Sequence, residues 1–114
     1  MRYGIIVGFI IALAVATRVN ADCLNDQYGN VVCGKGQCER DQHGKVFCAG
    51  LGGGAVQDKY GDVKCGTGNC ARDYLGQVWC STEPGGGAAI DAYGKVKCQG
   101  GCEAGTSGNC EGTR

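Results

Sequence analysis

The stretch DQYGNVVC at residues 26–33 recurs four times along the chain, with the same spacing of its fixed residues. The later copies are DQHGKVFC (41–48), DKYGDVKC (58–65), DYLGQVWC (73–80) and DAYGKVKC (91–98). In this D-x-x-G-x-V-x-C motif, Asp can accept a hydrogen bond from the backbone N–H two residues later, and Gly supplies the left-handed conformation that follows a type I turn. The motif therefore predicts a three-residue β-hairpin closed by a G1 bulge. The predicted turn residues are Asp26, Gly29, Asp41, Gly44, Asp58, Gly61, Asp73, Gly76, Asp91 and Gly94.

The strand that returns from each turn carries Val and Cys two residues apart, so the two side chains share a face. We predict that this face is buried and that the residue between Val and Cys points the other way. The predicted buried pairs are Val31/Cys33, Val46/Cys48, Val63/Cys65, Val78/Cys80 and Val96/Cys98. The predicted outward residues are Val32, Phe47, Lys64, Trp79 and Lys97. No stretch after residue 21 has helical periodicity, so the predicted fold class is all-β.

The motifs occur as pairs, because shorter and longer steps between successive motif glycines alternate along the chain. Two motifs together make a repeat of about 32–33 residues, a period typical of stacked architectures whose terminal copies act as caps. We therefore predict tandem hairpins followed by a capping tail at 99–114. The predicted hairpins lie near 22–33, 38–48, 55–65, 70–80 and 88–98.

The amino terminus has the features of an export signal. Arg2 precedes an apolar core at 5–16, and Val19-Asn20-Ala21 offers a cleavage site. The core is much shorter than the roughly 20 residues of a membrane-spanning helix. We predict a signal peptide at 1–21, a single domain at 22–114 without a membrane span, and a periplasmic or extracellular location. That domain has 9 basic and 11 acidic residues and no basic block, which argues against nucleic acid as a partner.

All ten cysteines follow residue 21, whereas Leu, Ile, Val and Phe together number only 12 there. An even number of cysteines in an exported chain with so little apolar material predicts a disulfide scaffold. The hairpin register places three pairs of cysteines directly opposite each other, at sites where side chains come close enough for a disulfide. These predicted disulfides are Cys23–Cys33, Cys38–Cys48 and Cys70–Cys80.

The other four cysteines have no facing partner in their own hairpin. Cys65 and Cys98 face Ala55 and Ala88, and they occupy equivalent positions one repeat apart. Stacking therefore predicts Cys65–Cys98, which leaves Cys102–Cys110 to close the tail. A rival scheme closes the short loops 33–38, 65–70 and 98–102 and pairs the remaining cysteines at long range.

The sequence offers little for a metal or catalytic site. The repeated Asp residues could be calcium ligands, but the turn already accounts for each one, and the GGG runs do not fit a calcium repeat. No C-x-x-C occurs, so zinc-ribbon and thioredoxin-like motifs are missing. One histidine, His43, and two serines after residue 21, Ser81 and Ser107, give no nucleophile–base pair. We predict a non-enzyme without metal or cofactor, with cysteine-based metal sequestration or redox chemistry in the cell envelope as the alternative.

Aromatic residues form the candidate binding surface. Tyr28, Tyr60 and Tyr93 share one turn position in alternate motifs, so stacking predicts that they line one edge, with Phe47 and Trp79 on an outer face. Such a row can contact a glycan, another protein or a second copy. In the other interpretation, which the shortage of core material favours, each Tyr covers the bare backbone of a neighbouring glycine run.

From CGKGQC (33–38) onward, the pattern C-G-x-G-x-C…P-G-G-G-A-A-x-D-x-Y-G-x-V-x-C resembles short exported bacterial proteins, rich in Cys and Gly, whose function is uncharacterised. The resemblance covers nearly the whole chain after residue 21, and residues 65–98 are its most specific part. The first repeat departs from the pattern, with AGLGGGAV (49–56) where the second has STEPGGGAAI (81–90). The resemblance implies an envelope or secreted location and no particular activity. With the residues, it predicts an exported structural or binding module whose partner is a protein, a glycan or a second copy.

Overall fold

The computed structural model describes residues 22–111, so the predicted signal peptide at 1–21 lies outside the described residues. Within that range the fold is all-β, as predicted, with one 3₁₀ turn at Ser107–Asn109. The strands are β1 (Asp22–Asn25), β2 (Val31–Gly34), β3 (Cys38–Arg40), β4 (Val46–Ala49), β5 (Ala55–Gln57), β6 (Val63–Cys65), β7 (Cys70–Arg72), β8 (Val78–Ser81), β9 (Ala88–Ile90), β10 (Val96–Cys98), β11 (Cys102–Ala104) and β12 (Cys110–Glu111). Residues 22–111 contain no helix long and apolar enough to cross a membrane.

The first ten strands pair into five antiparallel hairpins, numbered 1 to 5 along the chain, with the predicted registers. Hairpins 3 and 5 place alanine opposite cysteine, as Ala55–Cys65 and Ala88–Cys98. In hairpins 1, 2 and 4 the facing cysteines form disulfides with a Cα–Cα distance of 4.0 Å, the short separation of a non-hydrogen-bonded pair. These three are the predicted disulfides Cys23–Cys33, Cys38–Cys48 and Cys70–Cys80.

Each hairpin closes through the turn that D-x-x-G predicts. In the first turn, Oδ1 of Asp26 accepts hydrogen bonds from the backbone N–H groups of Tyr28 and Asn30. The other four turns repeat both bonds. The five motif glycines have φ between +84° and +87°, a conformation that other residues adopt only with strain. The repeated motif is therefore a folding unit.

The hairpins stack face to face in chain order. On each hairpin the V-x-C side, which we call the leading face, lies against the preceding hairpin. The opposite side, with the residue between Val and Cys, is the trailing face and lies against the next hairpin. Thus Val46 and Cys48 pack with Val32 of hairpin 1, and Val63 packs in a cluster with Ala49, with Phe47 against it. The core is a series of thin apolar layers between successive hairpins.

The predicted burial of the V-x-C side is correct in hairpins 2, 3 and 4, wrong in hairpin 1, and only partly correct in hairpin 5, where Val96 and Cys98 are half-buried. Val46, Val63 and Val78 are at most 5% exposed. Val31 is 65% exposed and Cys33 is exposed as well, whereas Val32, predicted to point outward, is buried. The reason is that Val31 and Cys33 lie on the leading face of hairpin 1, which no described hairpin precedes.

Two glycines bring neighbouring hairpins into close contact. A Cβ atom on Gly34 would overlap Cys48, and one on Gly66 would overlap Cys80. In both cases the overlapped residue belongs to the cross-strand disulfide of the next hairpin. The first glycine of each C-G-x-G-x-C segment is thus needed for the disulfide of the following hairpin to lie directly against it.

Contrary to the prediction, the tail does not cap the end of the stack but runs back along its side. Gly100 and Gly101, with φ of +77° and +99°, lie where the chain reverses after β10. β11 then pairs with β8, Thr106 bridges to Cys65, and β12 pairs with β4. The tail therefore adds a third strand or bridge to hairpins 4, 3 and 2 in turn.

This route makes two predicted disulfides wrong, Cys65–Cys98 and Cys102–Cys110. Cys65 pairs with Cys110, and Cys98 pairs with Cys102, as the rival scheme had it. Hairpin 4 lies between Cys65 and Cys98, so one repeat in sequence is two layers in the stack. The returning tail instead brings Cys110 alongside Cys65. The other short-loop pairs of the rival scheme, 33–38 and 65–70, are also wrong, because their cysteines form the hairpin disulfides and Cys65–Cys110.

Candidate functional site

The turns of the five hairpins are joined by a ladder of hydrogen bonds. The second residue of each turn donates its backbone N–H to the carbonyl oxygen of the next motif glycine, with N···O distances of 2.9–3.0 Å. The four bonds run from Gln27 to Gly44, Gln42 to Gly61, Lys59 to Gly76 and Tyr74 to Gly94. Because hydrogen-bonded neighbouring strands lie about 4.8 Å apart, the ladder sets a regular spacing along this edge of the molecule.

The third residue of each turn stands at the outer edge of this ladder. These five residues, which we call the turn ridge, are Tyr28, His43, Tyr60, Leu75 and Tyr93. Its tyrosines are 79%, 69% and 85% exposed, so the interpretation in which they cover glycine backbone is wrong. Tyr28, Tyr60 and Tyr93, the tyrosine row, are each two rungs apart, which corresponds to about 10 Å.

Tyr74 belongs to the same surface, although the repeat pattern does not predict it there. It is the second residue of the fourth turn and is 67% exposed. Its Cβ also covers the motif glycine of the next turn, since a Cβ on Gly94 would lie 2.7 Å from it. The sequence feature that could have indicated Tyr74 is that the other four motifs carry Gln, Gln, Lys and Ala at this position.

The prediction that Phe47 and Trp79 lie on an outer face with the tyrosines is wrong, because both are half-buried on trailing faces. Phe47 packs against the cluster that contains Ala55 and Val63 of hairpin 3. The Lys45 ammonium lies 5.3 Å from the centre of the Phe47 ring. Both aromatic residues therefore belong to the layers between hairpins rather than to the ridge.

Trp79 also bonds to its own turn. Its indole N–H donates to Oδ2 of Asp73 at 2.9 Å. Desolvation alone would raise the pKa of Asp73, but the hydrogen bonds from the Trp79 indole and from the Gln77 and Leu75 backbone outweigh it and hold this pKa below its ordinary value. Two surface clefts, each of about 340 Å³, flank the Trp79 ring.

Lysines take the position of Trp79 in hairpins 3 and 5. Lys64 lies 3.7 Å from Asp58, and Lys97 lies 4.0 Å from Asp91. The backbone N–H of Lys95 is the main cause that holds the pKa of Asp91 below its ordinary value; desolvation opposes it, and the charge of Lys97 adds to it. One oxygen of each of these carboxylates thus closes the turn, and the other binds a trailing-face side chain.

The cysteines and Ser81, which were considered for metal binding and catalysis, have structural partners. All ten cysteines are disulfide-bonded, so within residues 22–111 none is a free thiol. Ser81 is fully buried, donates to the carbonyl of Gln99 and accepts from the N–H of Glu83. His43 is exposed on the turn ridge. No group of three or more His, Cys, Asp or Glu side chains in the described range is arranged to hold a metal ion.

Comparisons with known proteins add no assignment to this geometry. No protein-family model matches the chain, and no curated protein or solved structure is significantly similar to it.

Proposed function

We propose that this protein is an exported binding module without catalytic activity, and that its tyrosine row binds an extended glycan. The observation that carries the proposal is the combination of exposure and regularity in that row. Three tyrosine side chains, each at least 69% exposed, project from one backbone ladder at equal intervals of two rungs.

The shape of the surface favours an extended ligand. The rings stand at the tips of turns, on a ridge, and not in a concave pocket such as those that hold small molecules. A tyrosine ring offers a flat apolar face and a polar hydroxyl, which together suit the C–H face and the hydroxyl groups of a sugar ring. A spacing of about 10 Å is close to the length of two sugar units in an extended chain. A linear polysaccharide can therefore meet successive rings in the same way.

The ridge is also rigid before it binds. The three turns that carry the row are held by the bonds to their Asp Oδ1 atoms. Hairpin 1 is also closed by its own disulfide, and hairpins 3 and 5 are joined to the tail through Cys65–Cys110 and Cys98–Cys102. Few backbone torsions are therefore left to order on binding, which lowers the entropic cost of association.

The disulfides support the proposed location and favour a binding role over the cysteine-based alternative. Five disulfides suggest an oxidising environment such as the periplasm or the outside of the cell. A cysteine in a disulfide has no thiolate to offer a metal. The intact mass of the natively exported protein tests this point, because five disulfides lower it by about 10 Da relative to the reduced chain. Four or more free thiols with bound zinc or copper would support the alternative instead.

Co-sedimentation with insoluble cellulose, chitin and peptidoglycan tests the binding proposal. We expect at least one of these polymers to retain the protein. The triple variant Tyr28→Ala/Tyr60→Ala/Tyr93→Ala should bind at least tenfold more weakly, with an unchanged urea midpoint because its three side chains are exposed. Leu51→Ala is the matched control, since Leu51 is 76% exposed but lies outside the five turns. The proposal would be contradicted if the triple variant were retained as well as wild type. It would also be contradicted if none of the three polymers retained the wild-type protein.

A further inference from the structure

The hydrogen-bond ladder between turns is incomplete at both ends in a complementary way. Each turn donates one N–H to the next turn and accepts one at its motif glycine. Within residues 22–111 the carbonyl of Gly29 receives no such bond, because hairpin 1 is the first in the stack. The N–H of Ala92, the second residue of the last turn, has no backbone acceptor in the same range. One end of the described stack thus has a free acceptor and the other a free donor.

The surface around Gly29 has the form that receives a preceding turn inside the stack. A Cβ on Gly44, Gly61 or Gly94 would lie 2.7–2.8 Å from the Cβ of the residue that donates to it, so that residue covers the bare glycine. No atom of the described part of the chain lies within 4 Å of the corresponding point on Gly29. The leading face of hairpin 1 is therefore open at its turn, as it is at Val31.

The leading face of hairpin 1 matches that of hairpin 4. Both combine a motif Val with a cross-strand disulfide, Val31 with Cys23–Cys33 and Val78 with Cys70–Cys80. Hairpin 3, together with Gly105 of the tail, covers the face of hairpin 4 and leaves Val78 only 5% exposed, whereas Val31 is 65% exposed. An apolar surface that is buried inside the stack is thus open at its first hairpin.

The trailing face of hairpin 5 shares one feature with that of hairpin 3, the face that covers hairpin 4. In both, a lysine stands between the motif Val and Cys, and an apolar residue, Val56 in hairpin 3 and Ala89 in hairpin 5, lies opposite it. Lys64 and Lys97 occupy the same position, with side chains 28% and 75% exposed. Hairpin 5 therefore exposes to solvent a face similar to the one with which hairpin 3 covers hairpin 4.

A second ladder, formed by side chains, connects hairpins 1 to 4. The residue before the motif Asp donates to the carbonyl of its counterpart in the preceding hairpin, as Arg40 to Asn25, Gln57 to Arg40 and Arg72 to Gln57. The counterpart in hairpin 5 is Ile90, which has no side-chain donor. Asn25, at the open start of the stack, has an amide donor although no described hairpin precedes it.

From these matched ends we propose that two copies of this protein associate head to tail, with the trailing face of hairpin 5 of one copy against the leading face of hairpin 1 of the next. The N–H of Ala92 donates to the carbonyl of Gly29, as the internal turns do to each other. Because the two surfaces differ, the contact is heterologous and leaves an unused surface on each of the two copies, so further copies can add to a linear assembly. The association extends the turn ridge across copies and does not require the ridge to bind a glycan.

One residue makes this junction weaker than the internal ones. Gln99 follows Cys98 where Gly66 follows Cys65. Since a Cβ on Gly66 would overlap Cys80, the Gln99 side chain must displace the incoming disulfide of hairpin 1. The assembly is therefore reversible and depends on protein concentration. Replacement of Gln99 by Gly is expected to strengthen it.

Sedimentation velocity over a concentration series tests the proposal with variants that alter one end each. Val31→Lys places a charge on the leading face of hairpin 1. Ala92→Pro removes the free N–H and suits the second position of a type I turn, where proline is favoured. Ala92→Ser is its control because it retains the N–H. We expect wild type and Ala92→Ser to associate, Val31→Lys and Ala92→Pro to weaken association at least tenfold, and Gln99→Gly to strengthen it.

A mixture of the two defective variants tests the direction of association. Val31→Lys retains an intact hairpin 5 end and Ala92→Pro an intact hairpin 1 end, so the mixture should form a 1:1 dimer that does not grow further. A wild type that stays monomeric at every concentration up to the millimolar range would overturn the proposal. Association of Ala92→Pro alone at wild-type strength would also overturn it, because the contact would then not depend on the N–H that the proposal pairs with Gly29.

Discussion

Hairpins 1 and 4 have the same local structure in different surroundings. Each has a D-x-x-G turn and a disulfide between cysteines 10 residues apart with a Cα–Cα distance of 4.0 Å. Yet Val31 of hairpin 1 is 65% exposed, and Val78 of hairpin 4 is 5% exposed. Hairpin 4 has hairpins on both faces and β11 along its returning strand, whereas hairpin 1 has one described neighbour.

The comparison separates what the motif does by itself from what stacking adds. Turn geometry and strand register are equal in the two hairpins, so they come from the motif alone. Burial of the Val and Cys side chains differs, so it comes from packing outside the hairpin, which for hairpin 4 is hairpin 3 on the leading face together with Gly105 of the tail. Equivalent substitutions in hairpins 1 and 4, or in hairpins 1 and 3, should therefore isolate the contribution of stacking to the free energy of unfolding.

Removal of a disulfide should give the largest difference between hairpins 1 and 4 in the free energy of unfolding that is lost. Replacement of Cys23 and Cys33 by Ala should cost about 3 kcal/mol, the loop-entropy value for a loop of this length. The double change Cys70→Ala/Cys80→Ala removes an equal loop constraint and also leaves a cavity beneath hairpin 3, where Cys80 is fully buried. We expect it to cost about 1–2 kcal/mol more. Urea unfolding of both variants measures the difference, and equal losses would mean that stacking adds nothing at this site.

The motif glycines should show the next largest difference. Gly29→Ala introduces only the strain of a positive φ, about 1 kcal/mol. Gly61→Ala introduces that strain and a Cβ 2.8 Å from the Cβ of Gln42, so we expect a loss of about 2 kcal/mol or more. Thermal and urea unfolding should rank the two variants in this order. A Gly29→Ala variant as unstable as Gly61→Ala would show that turn strain, not stacking, dominates.

The motif valines should differ by about 1 kcal/mol. Val78→Ala removes two buried methyl groups and is expected to cost about 1.5 kcal/mol. Val31→Ala changes an exposed side chain and should cost less than about 0.5 kcal/mol. Unfolding should be followed at low micromolar concentration, because association through hairpin 1 would bury Val31. A loss above about 1 kcal/mol for Val31→Ala under these conditions would contradict the exposed leading face.

The smallest expected difference between hairpins 1 and 4 is in the pH dependence of stability in acid. The pKa of Asp73 is lowered in the folded protein, so the ionised form stabilises the fold above the unfolded-state pKa of about 3.9 and this contribution is lost as pH falls through the lower folded value. Hairpin 1 has Val32 where hairpin 4 has Trp79, so it lacks the indole bond that contributes here. Trp79→Phe should therefore reduce the loss of stability between pH 5 and pH 2, whereas Val32→Ala should leave that pH dependence unchanged. An unchanged acid transition in Trp79→Phe would count against a role for the indole bond.

The sequence predicted which edge of the molecule carries the tyrosine row, but it did not predict which other aromatic residues lie there. The shared turn position of Tyr28, Tyr60 and Tyr93 in the repeat predicted one edge, and the ladder between turns provides it. Phe47 and Trp79 were misplaced because strand alternation indicates the face of a residue but not whether another hairpin covers that face. Nothing in the residues themselves indicated that the tyrosines remain exposed in a chain with so little apolar material.

Residues close together in the sequence determined the hairpins. The Asp and Gly of each motif lie three residues apart and close the turn through their own backbone, and the alternation of the strands then sets the register. Cys38 must face Cys48 as a result, and Ala55 must face Cys65, whatever surrounds them. These features follow from the sequence because every interaction that fixes them lies within a single hairpin.

Only the tertiary structure decided the path of the tail and the partner of Cys65. The segment CQGGCEAGTSGNC (98–110) has no D-x-x-G motif, so no local turn dictates where it goes. It pairs with the free edges of β8, β6 and β4, which lie side by side along one side of the molecule only after the hairpins have stacked. The same stacking order places hairpin 4 between Cys65 and Cys98 and leaves Val31 without a neighbour, because the position of a layer is a property of the whole stack and not of the residues within it.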